Sequence, residues 1–153
     1  MKSLHTSRRD NGFTLIELII VLAITTTILG VGFFVSLDAY RQHVFQSERT
    51  VLVSVLQKAR SRALSNMYQS AHGVCYEEPN YIIFRGTTCA SGLFGNEEIP
   101  SNISLARASR FSNSFPTVIF TPLSATTTPT SIALTDGVRN ASIDIKYEGT
   151  INW

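Results

Sequence analysis

From Phe13 to Leu37 the chain runs for 25 residues with a single charged position, Glu17. In helical form such a run is roughly 37 Å long, more than the roughly 30 Å of a bilayer's hydrocarbon core. After Leu37 the pattern changes. Apolar residues recur at Tyr40, Val44, Val51, Leu52, Val55, Leu56, Ala59, Ala63 and Leu64. Intervals of mostly three, four and seven mark one buried face of a helix. No proline interrupts Phe13 to Tyr68. The spacing therefore predicts one long helix, with an apolar first half (residues 13–37) and an amphipathic second half (38–68) that packs on a sheet. Arg41, Glu48, Arg49, Lys58, Arg60 and Arg62 read as its solvated face.

Beyond Gly73 the periodicity shortens. Val74–Tyr76, Tyr81–Phe84, Ile103–Ala106, Thr117–Thr121 and Ile132–Thr135 are predicted strands. Glu77-Glu78-Pro79-Asn80 has turn chemistry, and Asp136-Gly137 is a hairpin signal. Ile143, Ile145 and Tyr147 alternate with Ser142, Asp144 and Lys146, which gives one dry face and one wet. Thr87–Pro100 and Pro122–Thr130 read as exposed loops, and Trp153 is expected to be partly buried. Residues 69–153 thus form a β-rich domain, and the fold class is α+β: a long helix on a small antiparallel sheet.

The leader adds a topological signal. Residues 1–12 hold Lys2, Arg8 and Arg9 against Asp10, so the whole net charge of +2 lies there. Basic residues beside an apolar segment stay cytoplasmic, which puts everything after Leu37 on the far side of an inner membrane in a single pass. A secretory signal carries its small-residue cleavage site after the apolar core. Here the small residue, Gly12, precedes it. A cut after Gly12 removes the leader and leaves the apolar helix in place. It also frees an amino group on Phe13. A lone carboxylate such as Glu17 costs roughly 2.5 kcal/mol or more in hydrocarbon, so a counter-ion is expected.

Gly12-Phe13-Thr14-Leu15-Ile16-Glu17-Leu18 resembles the processing motif of the type IV pilin and pseudopilin superfamily. The resemblance implies cleavage between Gly12 and Phe13 by a prepilin peptidase, then N-methylation of Phe13. It also implies that Glu17 sets register against the Phe13 amine of a neighbouring subunit. Leu56-Gln57-Lys58-Ala59-Arg60-Ser61-Arg62-Ala63 followed by Val74-Cys75 is similar to the GspH/FimT branch of minor pilins and pseudopilins. In that branch strands with a glycine turn and a late glycine follow, as Ile132–Gly137, Ile143–Tyr147 and Gly149 do here. The chain departs from many pilins in having Gly30 and Gly32 where they carry a proline in the second half of the apolar helix.

The function that the resemblance implies is structural: a minor pilin or pseudopilin of a type IV pilus or type II secretion pseudopilus. Its partners would be the prepilin peptidase, other pilins in a helical filament, the inner-membrane assembly platform and inner-membrane lipid. Two other roles compete, a DNA-binding pilin for DNA uptake and an adhesive tip subunit. The basic residues available for DNA are Arg107, Arg110, Arg139 and Lys146, a thin set by the standard of electrostatic binding. The irregular loops at 87–100 and 122–130 are where an adhesive tip would recognise a ligand.

Cys75 and Cys89 face an oxidising compartment in this topology, so a disulfide is the default, worth roughly 3 kcal/mol for a loop of this size. A metal set of His72, Cys75, Cys89 and Glu77 and a pair of free thiols are the alternatives. The sequence holds no nucleophile elbow, Walker loop or histidine metal pair, so neither an enzyme nor a metal or cofactor is expected.

Overall fold

The computed structural model describes residues 12–101, 111 and 115–153, and only the backbone of 32–37. The predicted strand at 103–106, Arg107 and Arg110 lie outside the described residues. Among the described residues one helix, α1 (Leu15–Leu64), is followed by a single 3-10 turn at Met67–Gln69 and seven strands. These are β1 (His72–Glu77), β2 (Asn80–Arg85), β3 (Glu97–Pro100), β4 (Val118–Phe120), β5 (Thr130–Thr135), β6 (Asn140–Ile145) and β7 (Ile151–Asn152). The fold is α+β, a long helix followed by antiparallel sheets. The chain divides into two compact units, one ending at Tyr40 and one spanning Arg41–Trp153.

In the first unit α1 exposes apolar side chains on all sides, from Leu15 to Val31. Three consecutive threonines sit in this run without leaving a hydroxyl unpaired. Thr25, Thr26 and Thr27 each donate to a carbonyl one turn back, those of Val21, Leu22 and Ala23, at 2.8 Å. Back-bonding of this kind lets a polar triplet sit in apolar surroundings at little cost. The helix continues through Gly30 without interruption. Among the described residues no helix is long and apolar enough to cross a membrane. The apolar run continues to Leu37 in the sequence, through 32–37, whose side chains are outside the description.

In the second unit the remainder of α1 lays one face on the strands. Leu52, Val55, Leu56, Ala59 and Ala63 are buried, as the periodicity predicts. Leu64 is 40% exposed, and Phe45 and Val53 join the core instead. Tyr40 falls in the first unit, at 60% exposure. Glu48 is also fully buried, against the reading of it as a solvated residue. It stands three residues after Phe45 and four before Leu52, in the middle of the dry face, and Tyr81 donates its hydroxyl to Glu48 Oε1 at 2.5 Å.

The strands form two antiparallel sheets, ordered β3-β2-β1-β4 and β5-β6-β7. Gly73 lies in β1 where β2 and β4 close in from either side. A Cβ there would stand 2.3 Å from the Phe84 ring and 2.6 Å from the Val118 carbonyl. The Glu77–Asn80 turn carries a cis peptide before Pro79. Asp136–Arg139 joins β5 to β6.

Four expectations are corrected. The 87–100 segment is not all loop, because Glu97–Pro100 pairs with Asn80–Ile83 as an edge strand. The 122–130 segment is a loop exposed at Leu123, Ser124, Thr128 and Pro129, but it is not exposed throughout, because Ala125 and Thr127 are buried. There the Leu123 N–H donates to the Ala63 carbonyl at 2.9 Å, a second donor beside the Asn66 N–H at 3.0 Å, and so ties the segment to the end of α1. Tyr147 falls beyond β6 and is 61% exposed, and Trp153 is 58% exposed rather than partly buried.

Candidate assembly site at the N-terminus of the long helix

Gly12, Phe13 and Thr14 precede the helix as exposed, irregular chain, with Phe13 85% exposed. A Cβ built at Gly12 meets nothing within 4 Å. The fold itself therefore places no demand for glycine here, and any such demand belongs to whatever reads the segment. Exposed chain of this kind is where proteases cut.

The helix starts immediately afterwards, and its start is written locally. Thr14 Oγ1 accepts the Glu17 N–H at 3.3 Å, and the Thr14 carbonyl accepts the Leu18 N–H at 3.2 Å. Thr14 is thus the N-cap and Glu17 the third helical residue, the spacing of a capping box. The signal Thr-x-x-Glu is present in the sequence at Thr14 and Glu17. Glu17 stands exposed in the first turn, where the positive end of the helix dipole favours a carboxylate. The first turn presents Phe13, Leu15, Ile16 and Leu18 as a bare apolar surface around that one charge.

The β-rich unit holds the other candidates. Cys75 and Cys89 are bonded to each other, which takes both sulfurs out of any metal set. Among the described residues no group of three metal-ligating side chains converges. His72 is buried at the start of β1, with Nδ1 3.1 Å from the Ser70 carbonyl. Its burial pushes the imidazole pKa down, and Arg62 and Arg85 add to the shift. Glu97 on β3 takes Lys58 Nζ at 2.5 Å and Arg62 as a second partner. The Lys58 hydrogen bond, followed by that of Arg62, holds its carboxyl below the usual range. Lys58 and Arg62 are therefore clamped to the sheet edge, and of the predicted solvated basic face Arg49, Arg60 and Arg62 are half-buried while Arg41 and Lys58 are exposed.

Of the DNA-contact set, Arg107 and Arg110 lie outside the described residues, and the two described members stand apart. Arg139 is at one end of β6 and Lys146 just past the other, roughly 20 Å apart at the strand rise. Arg139 Nη1 is also paired with Asp136 Oδ2 at 3.3 Å. The Arg139 backbone N–H, followed by that of Val138, keeps the Asp136 carboxyl low.

Residues 7–33 match the family model of the prokaryotic N-terminal methylation motif. This is the type IV pilin signal, and it covers the second half of the leader, the Gly12–Phe13 junction, Thr14, Glu17 and the first half of the apolar helix. It implies processing by prepilin peptidase and assembly with other pilins, and it suggests membrane anchoring before filament entry. No curated protein and no solved structure matches the chain.

Proposed function

We propose that the chain is a minor pilin or pseudopilin, a structural subunit without catalytic activity. It is held by its apolar helix in the inner membrane with the β-rich unit outside. It is cut after Gly12, methylated on Phe13, and drawn by the assembly platform into a type IV pilus or type II secretion pseudopilus. The observation that carries this reading is the surface of the first unit. A helix start capped by Thr14 bears one carboxylate, and from Leu15 to Val31 the helix exposes apolar side chains on every side, interrupted by three threonines whose hydroxyls bond back to the helix. Burial is worth about 25 cal/mol per Å² of apolar surface, so such a helix requires lipid or neighbouring helices around it. Moving from lipid into a bundle of like helices conserves the apolar burial and changes one thing: the carboxylate gains an amine.

The test is the N-terminus of the exported product. Mass spectrometry of protein sheared from cells should show a chain beginning at Phe13 with one added methyl group. Gly12→Asp, which the fold tolerates in open space, should leave the chain in the membrane fraction with its leader attached. A sheared product that retains its first twelve residues would overturn the reading.

A further inference from the structure

The three-stranded sheet stops at β7, beside an uncovered strip of α1. The cleft between them is open and holds about 520 Å³. Gln57, Arg60, Ser61 and Leu64 make its helix wall, one stripe at intervals of three and four. The other wall is residues 150–153, all four in a row. A strand that turned one face to the cleft would contribute alternate residues only, so β7 presents its edge. The Lys146 N–H donates to the Thr150 carbonyl at 2.9 Å, which makes 146 and 150 a hydrogen-bonded pair. Asp144 and Asn152 are the next such pair, and Ile145 and Ile151 lie between. The N–H and C=O of Ile151 therefore point away from β6. No strand lies beyond β7 among the described residues, so these two groups are a template for one more.

The side chains around this edge suit a peptide. The Gln57 amide and the Ser61 hydroxyl can bond to a main chain, and Leu64 and Trp153 offer an exposed apolar contact. From 57 to 64 the helix wall runs about 10 Å, the length of about three residues of extended chain. Arg60 sets the charge. Its Nε, beside Gly149, is buried with no hydrogen-bond partner, so the cleft has a cation in its wall and calls for a carboxylate. This chain does not supply one. Residues 1–11 and 102–110, outside the description, carry a net positive charge. The acids of the edge strand β3 are engaged, Glu97 by Lys58 and Arg62 and Glu98 by Gly92 and Asn80.

We propose that the cleft seats an extended segment of a different filament subunit, which adds to β7 as a fourth strand and sets an Asp or Glu carboxylate against Arg60. In strand addition of this kind the main-chain bonds give affinity and the flanking side chains give specificity. The seat is read from this chain alone; that its occupant is a filament subunit rests on the function proposed above.

The test is photocrosslinking in the full chain, expressed with its leader in its own cells. The photoreactive p-benzoylphenylalanine is placed at Gln57 or, independently, at Asn152, both exposed. Either probe should join the chain to the same pilin-type protein, and mass spectrometry should map both links to one segment that carries an Asp or Glu. Arg60→Lys should keep the adduct, and Arg60→Glu should lower its yield at least about tenfold. Replacing the mapped acid with Lys should restore the adduct in the Arg60→Glu chain. A synthetic peptide of the mapped segment should slow hydrogen exchange at the Ile151 amide. An unchanged yield from Arg60→Glu, an Ile151 amide that the peptide leaves unprotected, or a link to a second copy of this chain overturns the proposal. So does the absence of an adduct when the sheared fraction contains processed protein, which leaves the filament reading intact. A leader still present on that fraction sinks the filament reading, and the identity of the occupant with it.

Discussion

Glu17 has two candidate jobs, and a pair of substitutions separates them. As the third residue of α1 it stands at capping-box spacing from Thr14, whose hydroxyl accepts the Glu17 N–H at 3.3 Å. As the one charge in the first turn of an apolar helix it is also the group that would pair with a Phe13 amine. Glu17→Gln keeps the size and capping capacity and removes the charge. Thr14→Ala keeps the charge and removes the cap. Loss of an N-cap costs about 1 kcal/mol, roughly a fivefold change, and it acts only on fraying of the first turn of a long helix. Removing one partner of a buried ion pair costs about 3–5 kcal/mol, because the other charge stays behind in low dielectric, and that is a factor of roughly 100 to several thousand in the assembly equilibrium. The counter-ion role therefore predicts that Glu17→Gln abolishes the sheared filament fraction while Thr14→Ala lowers it by no more than about fivefold. Quantitative immunoblots of sheared and membrane fractions measure both, and N-terminal mass spectrometry confirms that each variant is still processed. If Glu17→Gln assembles at wild-type levels and Thr14→Ala does not, the reasoning is wrong and the carboxylate is a local cap.

The remaining predictions concern the β-rich unit. The Cys75–Cys89 link closes a 14-residue separation, so replacing both cysteines with alanine should lower stability by about 3 kcal/mol, read as a fall in denaturant midpoint with a slope that does not decrease, since the unfolded chain loses its cross-link. A midpoint equal to that of the wild type would contradict it. Stability should also fall on acidification, in two windows. The His72 pKa is lowered, so below about 6.5 the unfolded chain takes up the proton first; the stability is complete above that pH and is lost as pH falls towards the folded value. Glu97 and Asp136 are lowered from 4.5 and 3.8, so what they add is intact above those values and is lost as pH falls through their folded values. Melting temperatures across pH 3–8 test this, and His72→Gln should flatten the upper window alone. Finally, Tyr81→Phe keeps the buried ring and removes the hydroxyl that Glu48 accepts at 2.5 Å. A hydrogen bond to a charged group is worth about 1.5–3 kcal/mol, and a loss below about 0.5 kcal/mol in denaturant melts would show that Glu48 does not depend on it.

How much was legible depended on whether the signal was local. The apolar run, its one carboxylate and Gly12 are consecutive residues, and so are the family motif and the α1 periodicity. All could be read because a helix repeats its pattern every few residues. The strands β1, β2 and β6 carried alternation or β-branched runs and were visible for the same reason. β3 was not, since Glu-Glu-Ile-Pro has poor strand propensity and becomes a strand only because β2 offers an edge. The packed 122–130 segment was equally hidden, because Thr-rich sequence reads as loop until the end of α1 supplies a carbonyl for Leu123.

Glu48 marks the limit from the other direction. Its position in the three–four rhythm between Phe45 and Leu52 placed it on the dry face, and its charge argued for the wet one. The rhythm was right, because the cost of burial depends on the partner, and the partner, Tyr81, is 33 residues away in β2. The same logic links the two ends of the molecule. At Glu48 the fold brings a donor to a buried carboxylate within one chain. At Glu17 the turn is exposed and apolar, and under the proposed function that task falls to a neighbour: a carboxylate whose donor lies on another chain would favour assembly over solitude.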